Sequence, residues 1–284
     1  MVVIDTEKCT GCGTCVKVCH EHCMAVINKK ISILYQNCST CAQCAAICPS
    51  QALTWDGVQT NPFEPTLMPT SEQTDELLKE RRTIRDFEQM PVDRKLLAEI
   101  ANYAAYAPTH SHDLRIIIVD NREAIELMDR VLLRFTTRLY KLIFRPKLFQ
   151  YLLRFTKPSI REEYDRAKPK LEAAINRARG FNSRPAAFVL IVGTKRVPLN
   201  LESAQYAVYN ISLFAQVKGL GSRNLVGNQT IFNRESTFRK RVGLRKSDKI
   251  FGLVGLGYPA IKFRNKVEGR TMPIQWIGND GMDN

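Results

Sequence analysis

Cys9-Thr10-Gly11-Cys12-Gly13-Thr14-Cys15-Val16-Lys17-Val18-Cys19 sets a pattern that returns 29 residues later as Cys38-Ser39-Thr40-Cys41-Ala42-Gln43-Cys44-Ala45-Ala46-Ile47-Cys48, followed by Pro49. Each run is spaced C-x2-C-x2-C-x3-C, so one unit is repeated almost in register. Eight of the nine cysteines fall in these two runs, in a chain of 284 residues that is 44% hydrophobic. That length suits one small module plus one domain of ordinary size, with a sizeable core. The first apolar residues lead directly to Cys9 without a secretory leader, so the crowded cysteines are expected in a reducing cytoplasm rather than in disulfides. Arg or Lys interrupts every long apolar segment, and none reaches the roughly 20 apolar residues that a spanning helix needs.

Three thiolates two residues apart can wrap one cube of iron and sulfide while the fourth is carried to a second cube. A pair of zinc sites would use two separated C-x2-C knuckles, which four evenly crowded cysteines per run fit poorly. The pattern resembles the bacterial two-cluster [4Fe-4S] ferredoxins over about residues 1–57. The resemblance implies Cys9, Cys12, Cys15 and Cys48 on one cluster, with Cys38, Cys41, Cys44 and Cys19 on the other. His20 stands where those ferredoxins usually have the proline that the second run keeps as Pro49. A solvated turn histidine beside His22 is the favoured reading of His20, ahead of a ligand. The ninth cysteine, Cys23, aligns through the repeat with Ala52, as Met24 does with Leu53, so packing is its expected role. Such clusters exchange single electrons and offer no substrate site, which places the chemistry downstream.

The formal charge of +14 is uneven. Residues 1–57 hold four Lys/Arg and four Asp/Glu, whereas 128–182 hold fourteen against five, a net of +9. Nucleic acid, anionic lipid, an acidic redox partner or an acidic substrate would each suit such a region. Between the two parts, Asp56-Gly57-Val58-Gln59-Thr60-Asn61-Pro62-Phe63-Glu64-Pro65 and on to Pro69 reads as turn and extended chain, so 58–71 is expected as a linker and 72–284 as the larger domain.

That domain opens on Arg81-Arg82-Thr83-Ile84-Arg85-Asp86-Phe87. Three guanidiniums in five residues suggest an anion site, because each can bind phosphate through two parallel hydrogen bonds and Thr83 can complete the cradle. A probable helix from Asp93 to Tyr106 leads into Ala107-Pro108-Thr109-His110-Ser111-His112 and the strand-like Arg115–Val119. Ala186–Val192 reads as a buried strand, Leu201–Lys218 as a helix, then Gly219-Leu220-Gly221-Ser222, a strand at Ile250–Gly257, and Leu256-Gly257-Tyr258-Pro259 followed by Arg270. Neither Gly219-x-Gly221 nor Gly252-x-x-Gly255-x-Gly257 completes a dinucleotide fingerprint, so no nicotinamide cofactor is demanded.

This order resembles the nitroreductase family over about residues 72–277. The resemblance implies an FMN enzyme, usually a homodimer with FMN at the subunit interface, and an α+β fold of a mostly antiparallel sheet flanked by helices. It implies that Arg81, Arg82, Thr83 and Arg85 hold the ribityl phosphate and pyrimidine edge, His112 the isoalloxazine and Arg270 the phosphate, with Gly221 and Ser222 facing the ring. His112 replaces the family's usual asparagine, and Asp113-Leu114-Arg115 its usual continuation. Since histidine titrates near neutral pH, His112 is also a candidate proton donor to the reduced substrate. A His110/His112 metal pair lacks a matching carboxylate or cysteine nearby.

From Arg130 to Phe155, apolar Val131, Leu132, Phe135, Leu139, Leu142 and Ile143 and basic Arg130, Arg134, Arg138, Lys141 and Arg145 both recur at helical spacing, with Pro146 as an interruption. One or two amphipathic helices are expected as an insertion at about 128–182. A lid or dimer helix is favoured over a membrane-surface contact through 130–157, and no recognised nucleic-acid fold is present. The combined expectation is an iron-sulfur flavoprotein oxidoreductase. It would pass electrons from two [4Fe-4S] clusters, fed by an external redox protein, through FMN to a small electron-poor acceptor such as a nitro compound, quinone or conjugated alkene. The alternatives are a non-enzymatic carrier between protein partners and a membrane-surface quinone reductase.

Overall fold

The structure is a computed structural model that describes residues 1–109, 113–146, 151, 155, 157–181, 183–269 and 271–277. The chain divides into two compact units, Met1–Pro69 and Thr70 onward.

In the first unit the two cysteine runs fold alike. β1 (Val2–Ile4) pairs antiparallel with β4 (Leu53–Trp55), and β2 (Met24–Ile27) with β3 (Lys30–Ile33). Each run carries a short helix, α1 (Thr14–Val18) or α2 (Gln43–Ala46), that places its third cysteine. The backbone repeats as closely as the sequence does: Gly11, Gly13 and His22 have φ of 70, 76 and 49°, and their partners 29 residues on, Thr40, Ala42 and Gln51, have 56, 61 and 50°. Holding Thr40 and Ala42 in the left-handed region costs about 1 kcal/mol or more each, so these turns are imposed by what surrounds them. The core is small, built from Val2, Cys23, Met24, Ile31, Ala45, Ala52 and Leu53 with the cysteines around it. Cys23, Met24, Ala52 and Leu53 are all buried, as the repeat alignment requires. The unit's last turn runs through Asp56 and Gly57, after which Val58 pairs back to Trp55. The expected linker therefore starts with a residue that still belongs to a hairpin.

The second unit is built on a four-stranded sheet, ordered β5 (Arg115–Val119), β6 (Ala187–Thr194), β8 (Asp248–Gly257), β7 (Gly221–Asn224), with every neighbouring pair antiparallel. β6 is apolar throughout because both its faces are covered. Ala187, Val189 and Ile191 face one core, against α4 (Arg94–Asn102) and α7 (Asn200–Val217). Phe188, Leu190 and Val192 face the other, against α5 (Arg122–Ile143), α8 (Asn228–Arg234) and α9 (Ser236–Arg241). The unit starts at α3 (Ser71–Glu80), whose capping box joins Thr70 and Gln73, so ordered structure begins slightly before the expected linker end.

The expected insertion needs a correction at its start. α5 begins at Arg122, capped by Asn121, and its first half is core: Met128, Val131 and Leu132 are buried, and buried Asp129 accepts from the Phe181 N–H at 2.8 Å and from Arg184 at 2.9 Å. The spacing of apolar residues is continuous through 122–143, and the basic residues that suggested a boundary lie only on the outer face. Beyond that core lie the far half of α5 and α6 (Pro158–Asn176), which has no buried residue and is tied to α5 by the Tyr140 hydroxyl donating to Glu172 at 2.6 Å. The second apolar group expected at 148–155 falls largely outside the described residues.

Candidate functional site

The repeated fold brings the cysteines into two overlapping groups. Cys19, Cys38, Cys41 and Cys44 line one small cavity. Cys15 lies within electrostatic reach of Cys48 and Cys12, and one core cluster holds Cys9 and Cys15 together with Cys19, Cys23, Cys38, Cys44 and Cys48. Burial pushes the Cys44 thiol up to about 11, with the neighbouring thiols of Cys41, Cys38 and Cys15 adding to it. Sulfurs crowded this closely cannot all ionise alone, and the charge of bound iron is what would let them. Left-handed residues stand between the cysteines at Gly11, Gly13, Thr40 and Ala42, the kind of backbone from which anion-binding nests are made. The Ala52 N–H lies 3.3 Å from the Cys48 sulfur, and the Thr14 hydroxyl 3.4 Å from the Cys12 sulfur, where it lowers that thiol's pKa. These residues fit two clusters. Among the described residues no three His, Cys, Asp or Glu side chains converge as a single metal ion would need. His20 is exposed at the rim of the cavity and His22 is exposed with positive φ, which suits solvated turn residues. Cys23 packs with its sulfur 3.4 Å from that of Cys19.

In the second unit the arginine run is an added edge segment. Thr83 bridges Ser222 in parallel, the Ile84 N–H donates to the Ser222 carbonyl at 2.9 Å, and Phe87 bridges Pro259. Ser183 pins the far end, accepting from the Phe87 N–H and donating to its carbonyl. Gly221 is glycine because Ile84 occupies its side-chain position: a Cβ there would lie 2.5 Å from Ile84. Gly219 ends α7 with φ 76°, the left-handed C-terminal stop.

Side chains alternate along an extended segment, so the run is divided. Thr83 pairs with Ser222, alternation assigns Arg81 and Arg85 to the Thr83 side, and Arg81 lies 5.9 Å over the ring of Tyr209. Arg82 and Ile84 share the other side with Gly221 and line a cleft of about 360 Å³, together with Ser222, Glu80 and Lys262. The four residues of the run therefore do not converge on one point. His112 and Arg270 lie outside the described residues. Asp113, one of the departures from the family pattern, is a structural anchor: it accepts from the Thr194 N–H at 2.5 Å, the Thr194 hydroxyl at 2.8 Å and the Asn200 amide at 2.8 Å.

One residue of this edge was missed by sequence reasoning. Arg223 follows Ser222 on β7, with its guanidinium 5.6 Å over the Phe181 ring and its Nη1 buried without a hydrogen-bond partner among the described residues. Burial lowers its pKa, the nearby Arg85 lowers it further, and Asp86 offsets part of this. Arg223 as a whole is half-buried, and a guanidinium nitrogen withdrawn from water without a hydrogen bond is costly, which makes the edge one that attracts a negative group. Only its place after the Gly-Leu-Gly-Ser turn could have pointed to it.

A family model described as the nitroreductase family matches residues 78–258, and a 4Fe-4S dicluster domain matches residues 1–49. The chain belongs to the nitroreductase family. To this family's domain it joins a 4Fe-4S dicluster domain that is similar to Ferredoxin-3 of Rhodobacter capsulatus, 32% identical over 79 aligned residues that cover 19% of this chain and 78% of that protein. It is also 38% identical over 50 residues to pyruvate synthase subunit PorD of Methanothermobacter marburgensis, covering 18% of this chain and 58% of that one. Among solved structures, a nitroreductase with bound FMN from Desulfitobacterium hafniense DCB-2 superposes with a TM-score of 0.52 at 18% identity, covering 71% of this chain and 98% of that one. The FMN and NADPH-dependent nitroreductase NfnB from Sphigopyxis sp. strain HMH gives 0.51 at 17% identity, covering 72% and 98%. At these identities the likeness to the solved nitroreductases is one of fold.

Proposed function

We propose that this nitroreductase-family chain is an iron-sulfur flavoprotein, which takes single electrons into two [4Fe-4S] clusters and reduces a small electron-poor acceptor at an FMN site in its second unit. The observation that carries the reading is the cysteine module together with a cation-rich strand edge in a chain of this family. When bound, the clusters supply single-electron transfer and FMN supplies one- or two-electron reduction of the acceptor. Cys9, Cys12, Cys15 and Cys48 would hold one cluster, and Cys19, Cys38, Cys41 and Cys44 the other. On the strand edge, Arg81, Thr83 and Arg85 are the donors that would hold the phosphate and pyrimidine edge. Thr83 pairs directly with Ser222, whereas the Arg82 cleft sets the carboxylate of Glu80 against the cations of Arg82 and Lys262. Arg223 would add positive charge to the same edge. A nitro compound, quinone or conjugated alkene is the acceptor class. Arg270 and His112 keep the roles that the family resemblance gives them, phosphate ligand and isoalloxazine contact, and His112, a histidine where the family has asparagine, is in addition the candidate proton donor.

A homodimer is part of this reading. Met272, Ile274, Trp276 and Ile277 are 84, 75, 89 and 94% exposed, an apolar row that a second copy would cover.

The test is anaerobic mixing of loaded protein with reduced methyl viologen, a one-electron donor, with the visible absorbance of clusters and flavin followed in time. The expected result is rapid flavin reduction that slows by about tenfold or more when Cys12→Ser and Cys41→Ser remove the clusters while FMN stays bound. Flavin reduction at an unchanged rate without clusters would contradict the internal path. Negligible turnover with menadione and with nitroaromatic acceptors would favour the carrier alternative. FMN affinity should fall by about tenfold in Arg85→Ala and much less in Arg82→Ala, and the reverse order would contradict the assignment of sides.

A further inference from the structure

The border between the buried and exposed faces of α5 and the short helix α8 line a second, open cavity, of about 560 Å³, that shares no lining residue with the cleft beside Arg82. Its volume lies in the range that holds small molecules. Val131, Arg134, Phe135 and Arg138 reach it from α5, spaced i, i+3, i+4 and i+7, so one stripe of the helix faces it. Ile231 and Arg234 reach it from α8, and Glu235 follows. The floor is apolar: Val131 is buried, Phe135 is 39% exposed and Ile231 is half-buried.

The polar groups around that floor are unbalanced. Three guanidiniums face one carboxylate, and Glu235 meets only Arg134, at 4.0 Å, the outer limit of an ion pair. Among the described residues no ion pair involves Arg138 or Arg234. Three like charges around an apolar floor repel one another unless an anion joins them, and guanidinium is the side chain best shaped to take carboxylate, sulfonate or phosphate in a bidentate pair. Arg134, Arg138 and Arg234 are exposed around the apolar floor, so an anion can reach all three from solvent.

We propose that this cavity is a binding site for a small amphiphilic anion, an aromatic or alkyl group carrying one carboxylate, sulfonate or phosphate, with the apolar part on Val131, Phe135 and Ile231 and the anionic head held by Arg138 and Arg234. The inference does not depend on the flavin reading. An anionic lipid headgroup presents the same chemistry, and the test separates the two sources.

The experiment is calorimetric titration of the whole protein, clusters intact and FMN saturating, with 2-naphthoate and with its neutral isostere 2-naphthamide at low salt. One naphthoate per chain is expected, about tenfold or more tighter than the amide, weakening as salt is raised. The double variant Arg138→Gln with Arg234→Gln should lose that preference and leave the amide unchanged. Glu235→Gln, which removes the one carboxylate of the lining, should tighten naphthoate several-fold, a gain that a misfolded variant would not give. Equal affinity for the two compounds, or a preference that survives the double variant, would overturn the site. So would absence of naphthoate binding combined with Arg138-dependent binding to phosphatidylglycerol vesicles, which would assign the surface to a membrane instead.

Discussion

Arg223 shows at the scale of one residue how the site and the stability of the chain oppose each other. Its guanidinium rests on Phe181 with Nη1 buried and, among the described residues, without a hydrogen bond, and Arg85 adds a like charge nearby. Arg223→Met keeps the stem and removes the charge. Scanning fluorimetry of flavin-free protein should give a higher Tm, by about 2–4 °C for each kcal/mol recovered, while FMN titration should show weaker binding. A lower Tm would mean that the guanidinium has a stabilising partner. Asp113 and Asp248 carry a pH dependence. Burial alone would raise both, but the Thr194 N–H, the Thr194 hydroxyl and the Asn200 amide at Asp113, and the Arg245 N–H and Arg115 at Asp248, outweigh it and hold both below the ordinary carboxylate range. A carboxylate with a depressed folded pKa stabilises the fold above its unfolded value of about 3.9, and that stabilisation is lost as pH falls through the folded value. Urea midpoints followed by circular dichroism should therefore be flat from neutral pH to about 5 and fall below about 4. Asp248→Asn should cost about 2 kcal/mol at pH 7, less than a fully buried pair because Arg115 and Arg245 reach solvent, and should flatten the acid slope.

Among the elements, the edge segment 81–88 decides whether the second unit can present its cations. It has no regular strand of its own and is held by two bridges and by Ser183. Gly221→Ala would press a methyl into Ile84, displace the segment and weaken FMN binding, with stability reduced by about 1–3 kcal/mol. Adding Ile84→Ala should restore part of both, and a double variant no better than the single one would separate Gly221 from the segment. The segment was read from sequence as an anion site but not as a strand, because Arg-Arg-Thr-Ile-Arg carries no apolar alternation and its pairing comes from contacts far along the chain. β5, β6 and β8 were legible because burial on both faces requires unbroken apolar runs such as Ala187–Val192. The start of α5 was misplaced for the opposite reason: basic residues drew attention to the outer face of a helix whose inner face, Met128 and Val131, is core.

For the molecule as a whole, the cysteine repeat made the first unit's internal symmetry legible, while its left-handed residues, which recur at the same 29-residue offset, appeared only in the backbone. The second unit's family was readable from the order of its motifs, while the side taken by each arginine and the burial of Arg223 depend on strand pairing that no local pattern encodes. Trp276→Ser with Ile277→Ser removes two of the most exposed apolar side chains. Sedimentation should show it shifted toward monomer relative to the parent chain, and an unchanged distribution would remove the tail from the dimer contact. The most direct test of the central claim is the iron, sulfide and flavin content of anaerobically purified protein. About eight irons, about eight sulfides and about one FMN per chain are predicted. Eight irons without flavin, and none taken up from added FMN, would contradict it.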